Sequence, residues 1–173
     1  MVLGMSLAAY TLIHVLISLI GISTGFVVIF GMLRSKTFKG WTGVFLTATV
    51  LTSVTGYGFP FEKLLPSHIV GAVSLVLLTL AIFALYARRM VGTWRWVYVV
   101  TASTALYLNV FVGIVQAFLK VPALKALAPT QKEAPFQVVQ LMVLVLFAIL
   151  IQFAVRRFHP QITLSARAAV HQA

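Results

Sequence analysis

From Leu7 to Val155 the chain is a succession of long apolar stretches with no Asp, Glu, Lys or Arg in their interiors. That pattern restricts the fold more than any other feature. A helix of roughly 20 apolar residues crosses about 30 Å of hydrocarbon. With no water to satisfy the backbone there, only helices and closed barrels are stable. Five stretches qualify: Leu7–Leu33, Trp41–Tyr57, His68–Tyr86, Val97–Leu119 and Phe136–Val155. The expected fold class is all-α, an integral membrane bundle of five transmembrane helices. The second stretch is the shortest and the richest in Thr, Ser and Gly, so a re-entrant hairpin is the alternative there. The first has no preceding Lys or Arg and runs too long for a signal h-region, so it reads as a retained helix.

Composition agrees. The 173 residues are 61% hydrophobic and 9% charged, far from the half-apolar, quarter-charged balance of a soluble domain. Disorder, which requires low hydrophobicity and high charge, is excluded. The net charge of +11 would suggest nucleic acid in a soluble protein. Here the basic residues fall between apolar runs without forming a patch. The expected partners are therefore the lipid bilayer and a membrane protein or a second copy of the chain, and no nucleic acid. The absence of cysteine excludes disulfides, thiolate metal sites and cysteine nucleophiles.

Loop charge gives a direction. Arg34, Lys36, Lys39, Arg88, Arg89, Arg95, Arg156, Arg157 and Arg167 fall on one side. Lys63, Lys120, Lys125 and Lys132 fall on the other, with both acids, Glu62 and Glu133. Cytoplasmic loops collect Lys and Arg, so the N-terminus is expected outside and the C-terminus inside an inner (cytoplasmic) membrane. Trp41, Trp94 and Trp96 sit where aromatic anchors of the inner interface belong. Residues 1–158 are expected to form the transmembrane domain and 159–173 a polar cytoplasmic tail. The longest connection, Lys120–Pro135, contains Val121–Ala128, which suits a short amphipathic helix resting on the surface or a lid.

Neutral polar groups cluster in the expected outer half. They are Tyr10, His14 and Ser18, then Thr52, Thr55 and Tyr57, then Ser67 and His68, then Asn109 and Gln116, and finally Gln137 and Gln140. The inner half has fewer: Thr101, Ser103, Thr104 and Gln152. Polar groups in hydrocarbon need a partner or a purpose, so the asymmetry implies an outward-opening polar pocket or a hydrogen-bonded layer. His14, Ser18, Gly21 and Gly25 recur at offsets of four, three and four and share a helix face. His68 with Gly71, and Asn109 with Gly113 and Gln116, make two further stripes. Gly21 and Gly25 suit either a bulky group against the backbone or close helix packing.

Two histidines at similar depth make His14 and His68 the candidate metal or haem ligands, since neutral imidazole supplies a lone pair. Gly21, Gly25, Gly71, Tyr107, Asn109 and Gln116 complete the candidate cofactor-binding set, and Glu62 is a candidate third ligand. A His in the first helix with another at a later helix end resembles small cytochrome-b-like membrane proteins. The resemblance covers two side chains and their neighbouring glycines. It implies a haem b, or a quinone-linked electron transfer, in the outer half. The competing expectations are a non-catalytic membrane subunit or assembly factor, whose polar residues only pack helices, and a small-solute transporter. No nucleophile–base–acid spacing, phosphate loop or His-Glu-x-x-His helix is present, so no catalytic residue is named. His159 and His171 belong to the tail, away from the outer set.

Overall fold

A computed structural model gives the fold over residues 4–59 and 66–160. Six α-helices account for it: α1 (Leu7–Leu33), α2 (Lys39–Gly56), α3 (Pro66–Ile82), α4 (Trp94–Lys120), α5 (Pro122–Leu127) and α6 (Ala134–Arg157). A π-helical turn, Phe83–Ala87, extends α3. Among the described residues there is no strand. Among the described residues four helices are long and apolar enough to cross a membrane: α1, α3 with its π turn, α4 and α6. The second expected span, α2, is one unbroken helix, not a hairpin, but its Thr and Gly content keeps it out of that group. Glu62, Lys63, Arg167 and His171 lie outside the described residues.

The helix ends have local causes. Ser6 caps α1 by accepting the Ala9 amide at 3.2 Å. At the other end Ser35 adopts φ 56°. The Lys36 amide then reaches back to the Gly31 carbonyl, and that of Ser35 to Met32. Those two bonds are a Schellman closure, which satisfies carbonyls the helix would otherwise leave open. The helices α4 and α6 extend beyond the apolar stretches to Lys120 and to Arg156 and Arg157, whose long side chains continue the helix while reaching toward water.

In the bundle α1, α2, α3 and α4 form a ring of successive neighbours, and α6 lies outside it against α4 and α1. The buried core occupies one half of this ring. It joins Val28, Ile29 and Met32 of α1 to Phe45 and Leu46 of α2, Leu78 and Ala81 of α3, and Val99, Ala102 and Leu106 of α4. Small residues draw the backbones together there: Ala81, Ala84 and Ala105 have no exposed surface. In lipid such close packing replaces the hydrophobic effect as the source of helix association. The outer surface is apolar, with Leu12, Leu16, Val76, Leu141 and Met142 each about half exposed or more. That pattern fits a membrane protein.

The connection after α4 forms the short helix α5, with Pro122 in its first turn and Pro129 just past its end. Gln131 ties the connection to α4 by donating to the Val115 carbonyl at 2.9 Å. Its last residue, Glu133, accepts from the Thr130 hydroxyl at 2.8 Å and from the Thr130 and Lys132 amides. Partial desolvation acts upward on this carboxyl, but the hydrogen bonds prevail and hold it below its ordinary value. At the C-terminal end the chain stays packed through Pro160. Phe158 lies against Tyr98, and the His159 amide donates to Ser35.

Candidate functional site

The half of the ring without the buried core holds a cavity of about 480 Å³ between α1, α2, α3 and α4. It lies at the end where α1 and α3 begin and α2 and α4 finish. Thr11, His14 and Ser18 reach it from α1, Thr52 and Ser53 from α2, and Ser67, His68, Gly71 and Ser74 from α3. Asn109, Gly113, Gln116 and Lys120 contribute from α4, and Tyr57 and Phe59 from the segment after α2. Asn109, His68 and Ser74 are buried, whereas Gln116, Lys120 and Ser67 are exposed. The lining on α4 runs from Lys120 down to Leu108, a depth of roughly 18 Å at 1.5 Å per residue. Val15, Leu19, Ile22, Val70 and Val112 make the walls apolar. A mainly apolar cleft with a few polar groups is the usual form of a small-molecule site.

Hydroxyls on α2 are largely satisfied within their own helix. Thr52 donates to the Ala48 carbonyl at 2.9 Å, Ser53 to Thr49 at 3.0 Å and Thr55 to Leu51 at 2.7 Å. This is how a Thr-rich helix tolerates apolar surroundings. It also fixes His14. The Thr55 hydroxyl hydrogen is committed to Leu51, so at 2.8 Å its oxygen accepts the Nδ1–H of His14. That tautomer leaves Nε2 of His14 with its lone pair. The imidazole also stands edge-on to Phe59, with ring centroids 5.2 Å apart.

Tyrosines tie the other pieces together. Tyr10 donates to the Thr55 carbonyl at 2.6 Å, and Tyr57 to that of His68 at 2.7 Å. The Tyr57 ring also lies 5.5 Å from the His68 ring, and a Cβ on Gly71 would meet it at 3.4 Å. Asn109 accepts from Ser18 at 2.9 Å. Its amide nitrogen is buried without a partner among the described residues. Turning the amide over would leave its oxygen unpaired in the same place, so one polar atom is surplus in either orientation.

Of the sequence-derived residues, the fold brings His14, His68, Gly71, Asn109 and Gln116 to the cavity. It places Gly21, Gly25 and Tyr107 elsewhere. Gly21 lies beyond the cavity, where a Cβ would stand 3.2 Å from both Asn109 Nδ2 and Thr49 Oγ1. The Gly25 position is occupied by Leu106 and Phe45, at 2.5 Å and 2.9 Å from an added Cβ. Tyr107 stacks on Phe147 of α6, ring centroids 5.6 Å apart. It is two residues from Asn109 on a helix of 3.6 residues per turn, so the two point nearly oppositely. Gln140 donates to Phe111, and Gln137 to the nearby Lys132 carbonyl; neither lines the cavity. Of the connection Lys120–Pro135, Lys120 at the end of α4 lines the cavity and α5 does not.

Ser53, Phe59, Ser74 and Lys120 are cavity residues that sequence reading missed. Two of them had a signal. Ser74 follows His68 and Gly71 at steps of three, and Lys120 continues the Asn109–Gly113–Gln116 stripe at a step of four. Among the described residues no group of three metal-ligating side chains occurs. Comparison with protein-family models, with curated proteins and with solved structures finds no match.

Proposed function

We propose that this protein crosses the inner membrane five times, N-terminus outside, and binds a small uncharged amphiphile of the quinone class in the cavity of its outer half. The loop-charge asymmetry supports the direction. Support for a fifth crossing comes from α2, whose 18 residues measure about 27 Å and lie between α1 and α3. The observation that carries the ligand reading is the union of apolar walls with an oriented His14. A quinol hydroxyl would donate to the Nε2 lone pair, and a quinone carbonyl would accept from the Gln116 amide or the Lys120 ammonium. Among the described residues no acidic side chain lines the cavity, which favours an uncharged headgroup over a cationic one.

The test is equilibrium binding of decylubiquinone to the purified full chain in detergent. Saturable binding should weaken about tenfold in His14→Ala, the equivalent of one lost hydrogen bond in a dry site. Asn109→Leu should keep the fold while also reducing binding, since it reshapes the deepest polar point. Unchanged binding in both variants would overturn the proposal. An absorption spectrum of protein expressed with ample haem tests the haem b alternative. A Soret band lost in His14→Ala and in His68→Ala would replace the quinone by a haem.

A second reading, a non-catalytic membrane subunit, is favoured by the bonds between helices: Tyr10–Thr55, Ser18–Asn109 and Gln140–Phe111. Under it the polar groups serve assembly alone. Recovery of a stoichiometric partner after mild solubilisation, unaltered by His14→Ala, with no quinone binding, would establish that role.

A further inference from the structure

A second cavity, of about 340 Å³, lies at the opposite end of the bundle, and none of its lining residues belongs to the first. Thr37, Lys39 and Thr42 approach it from the start of α2, Tyr86 and Arg89 from the end of the π turn, and Tyr98 from α4. We propose that this cavity binds the phosphate headgroup of an anionic phospholipid.

Charge is the first argument. Lys39 and Arg89 line the cavity, and none of the described residues lining it is a carboxylate. The chain's only acids are Glu62, in the connection from α2 to α3, and Glu133, at the start of α6. A bound anion would supply the counter-charge that the described lining lacks. Two neighbouring cations are already engaged. Arg88 lies over the Trp94 ring at 5.0 Å, and Arg95 donates to the carbonyls of Phe158 and, at 3.0 Å, Val155. Lys39 and Arg89 are the two cations among the described residues that line the cavity.

The second argument is the rest of the lining. Thr42 of α2 and Tyr98 of α4 are both buried and bring their hydroxyls to the lining. The first turn of α2 has no side-chain cap at Phe38, so its open amides and the positive end of its dipole favour an anion. The backbone that carries Arg89 is fixed. Arg89 and Met90 take left-handed backbone, φ 49° and 55°, and the Met90 side chain is buried in the core.

Location selects a lipid over a free anion. Trp41 and Trp96, half exposed at this end, are residues that settle at headgroup level. Ile82, Phe83 and Tyr86 present an exposed apolar strip along α3 and its π turn, leading away from the cavity, on which acyl chains can lie. A basic pocket between helices at the membrane boundary is a recognised form of anionic-headgroup site.

The experiment is native mass spectrometry of the full chain in detergent, titrated with dioleoyl-phosphatidylglycerol or dioleoyl-phosphatidylcholine. The unaltered protein should retain phosphatidylglycerol preferentially. Affinity should fall at least about tenfold in K39Q/R89Q, at the scale of two basic residues near a lipid surface. It should hold in R34Q/K36Q, which removes two exposed cations outside the cavity. Equal retention of the two lipids by the unaltered chain overturns the proposal, whatever the variants do. So does equal weakening in R34Q/K36Q. Displacement of phosphatidylglycerol by inorganic phosphate at equal concentration overturns the lipid assignment and leaves a free-anion site.

Discussion

The two halves of α1 meet their neighbours in opposite ways. In its second half Gly25 is pressed by Leu106 and Phe45, and the surrounding side chains form the buried core. In its first half His14 and Ser18 border open volume, and the facing glycine of α4, Gly113, would place a Cβ only in ordinary contact with Ile22, at 3.6 Å. The same small residue thus does two jobs. Where protein fills the notch, glycine lets helices approach. Where nothing fills it, glycine keeps room for something else.

The sharpest way to break that comparison is to fill both notches. Gly25→Val should destabilise the bundle by roughly 3 kcal/mol, the upper part of the range for overpacked cores, visible as a large fall in thermal midpoint in detergent. Gly113→Leu should leave the midpoint almost unchanged, because its side chain enters the cavity. It should nonetheless abolish decylubiquinone binding. A stable Gly25→Val, or a Gly113→Leu that binds normally, would mean that the two halves do not differ as described.

The smallest effect is expected at Glu133, at the cavity end but outside the lining. Its carboxyl is held below the ordinary value of 4.5 by the Thr130 and Lys132 bonds. A lowered folded-state value contributes stability that is present above the ordinary value and lost as pH falls through the folded one. The turn before α6 should therefore loosen only below about pH 4.5, read as faster amide exchange at residues 130–133. Glu133→Gln should remove that dependence without changing quinone binding.

How legible the site was depended on what each stripe met. His14, His68, Asn109 and Gln116 could be grouped by depth alone, since helices alternate in direction and polar side chains are scarce in lipid. Tyr107 could not be placed that way. Depth put it near Asn109, but helical rotation turned it to Phe147. The Gly21–Gly25 pair had two meanings in sequence, and only the positions of Asn109, Thr49, Leu106 and Phe45 chose packing. Thr55 read as a generic polar residue. Its part in orienting His14 depends on a 2.8 Å approach between residues 41 apart in the chain. The basic cavity was illegible because its members are separated in sequence and individually look like ordinary loop charges.

By itself the sequence determined the solvent and the element type. Uninterrupted apolar runs can satisfy their backbone in lipid as helices, and the uneven share of Lys and Arg between alternate loops supports the proposed direction. The tertiary structure decided which polar groups pair with one another and which are left facing empty volume. That outcome depends on the rotation and separation of neighbouring helices, set by side chains such as Leu106 and Phe45 filling some glycine notches and none filling others.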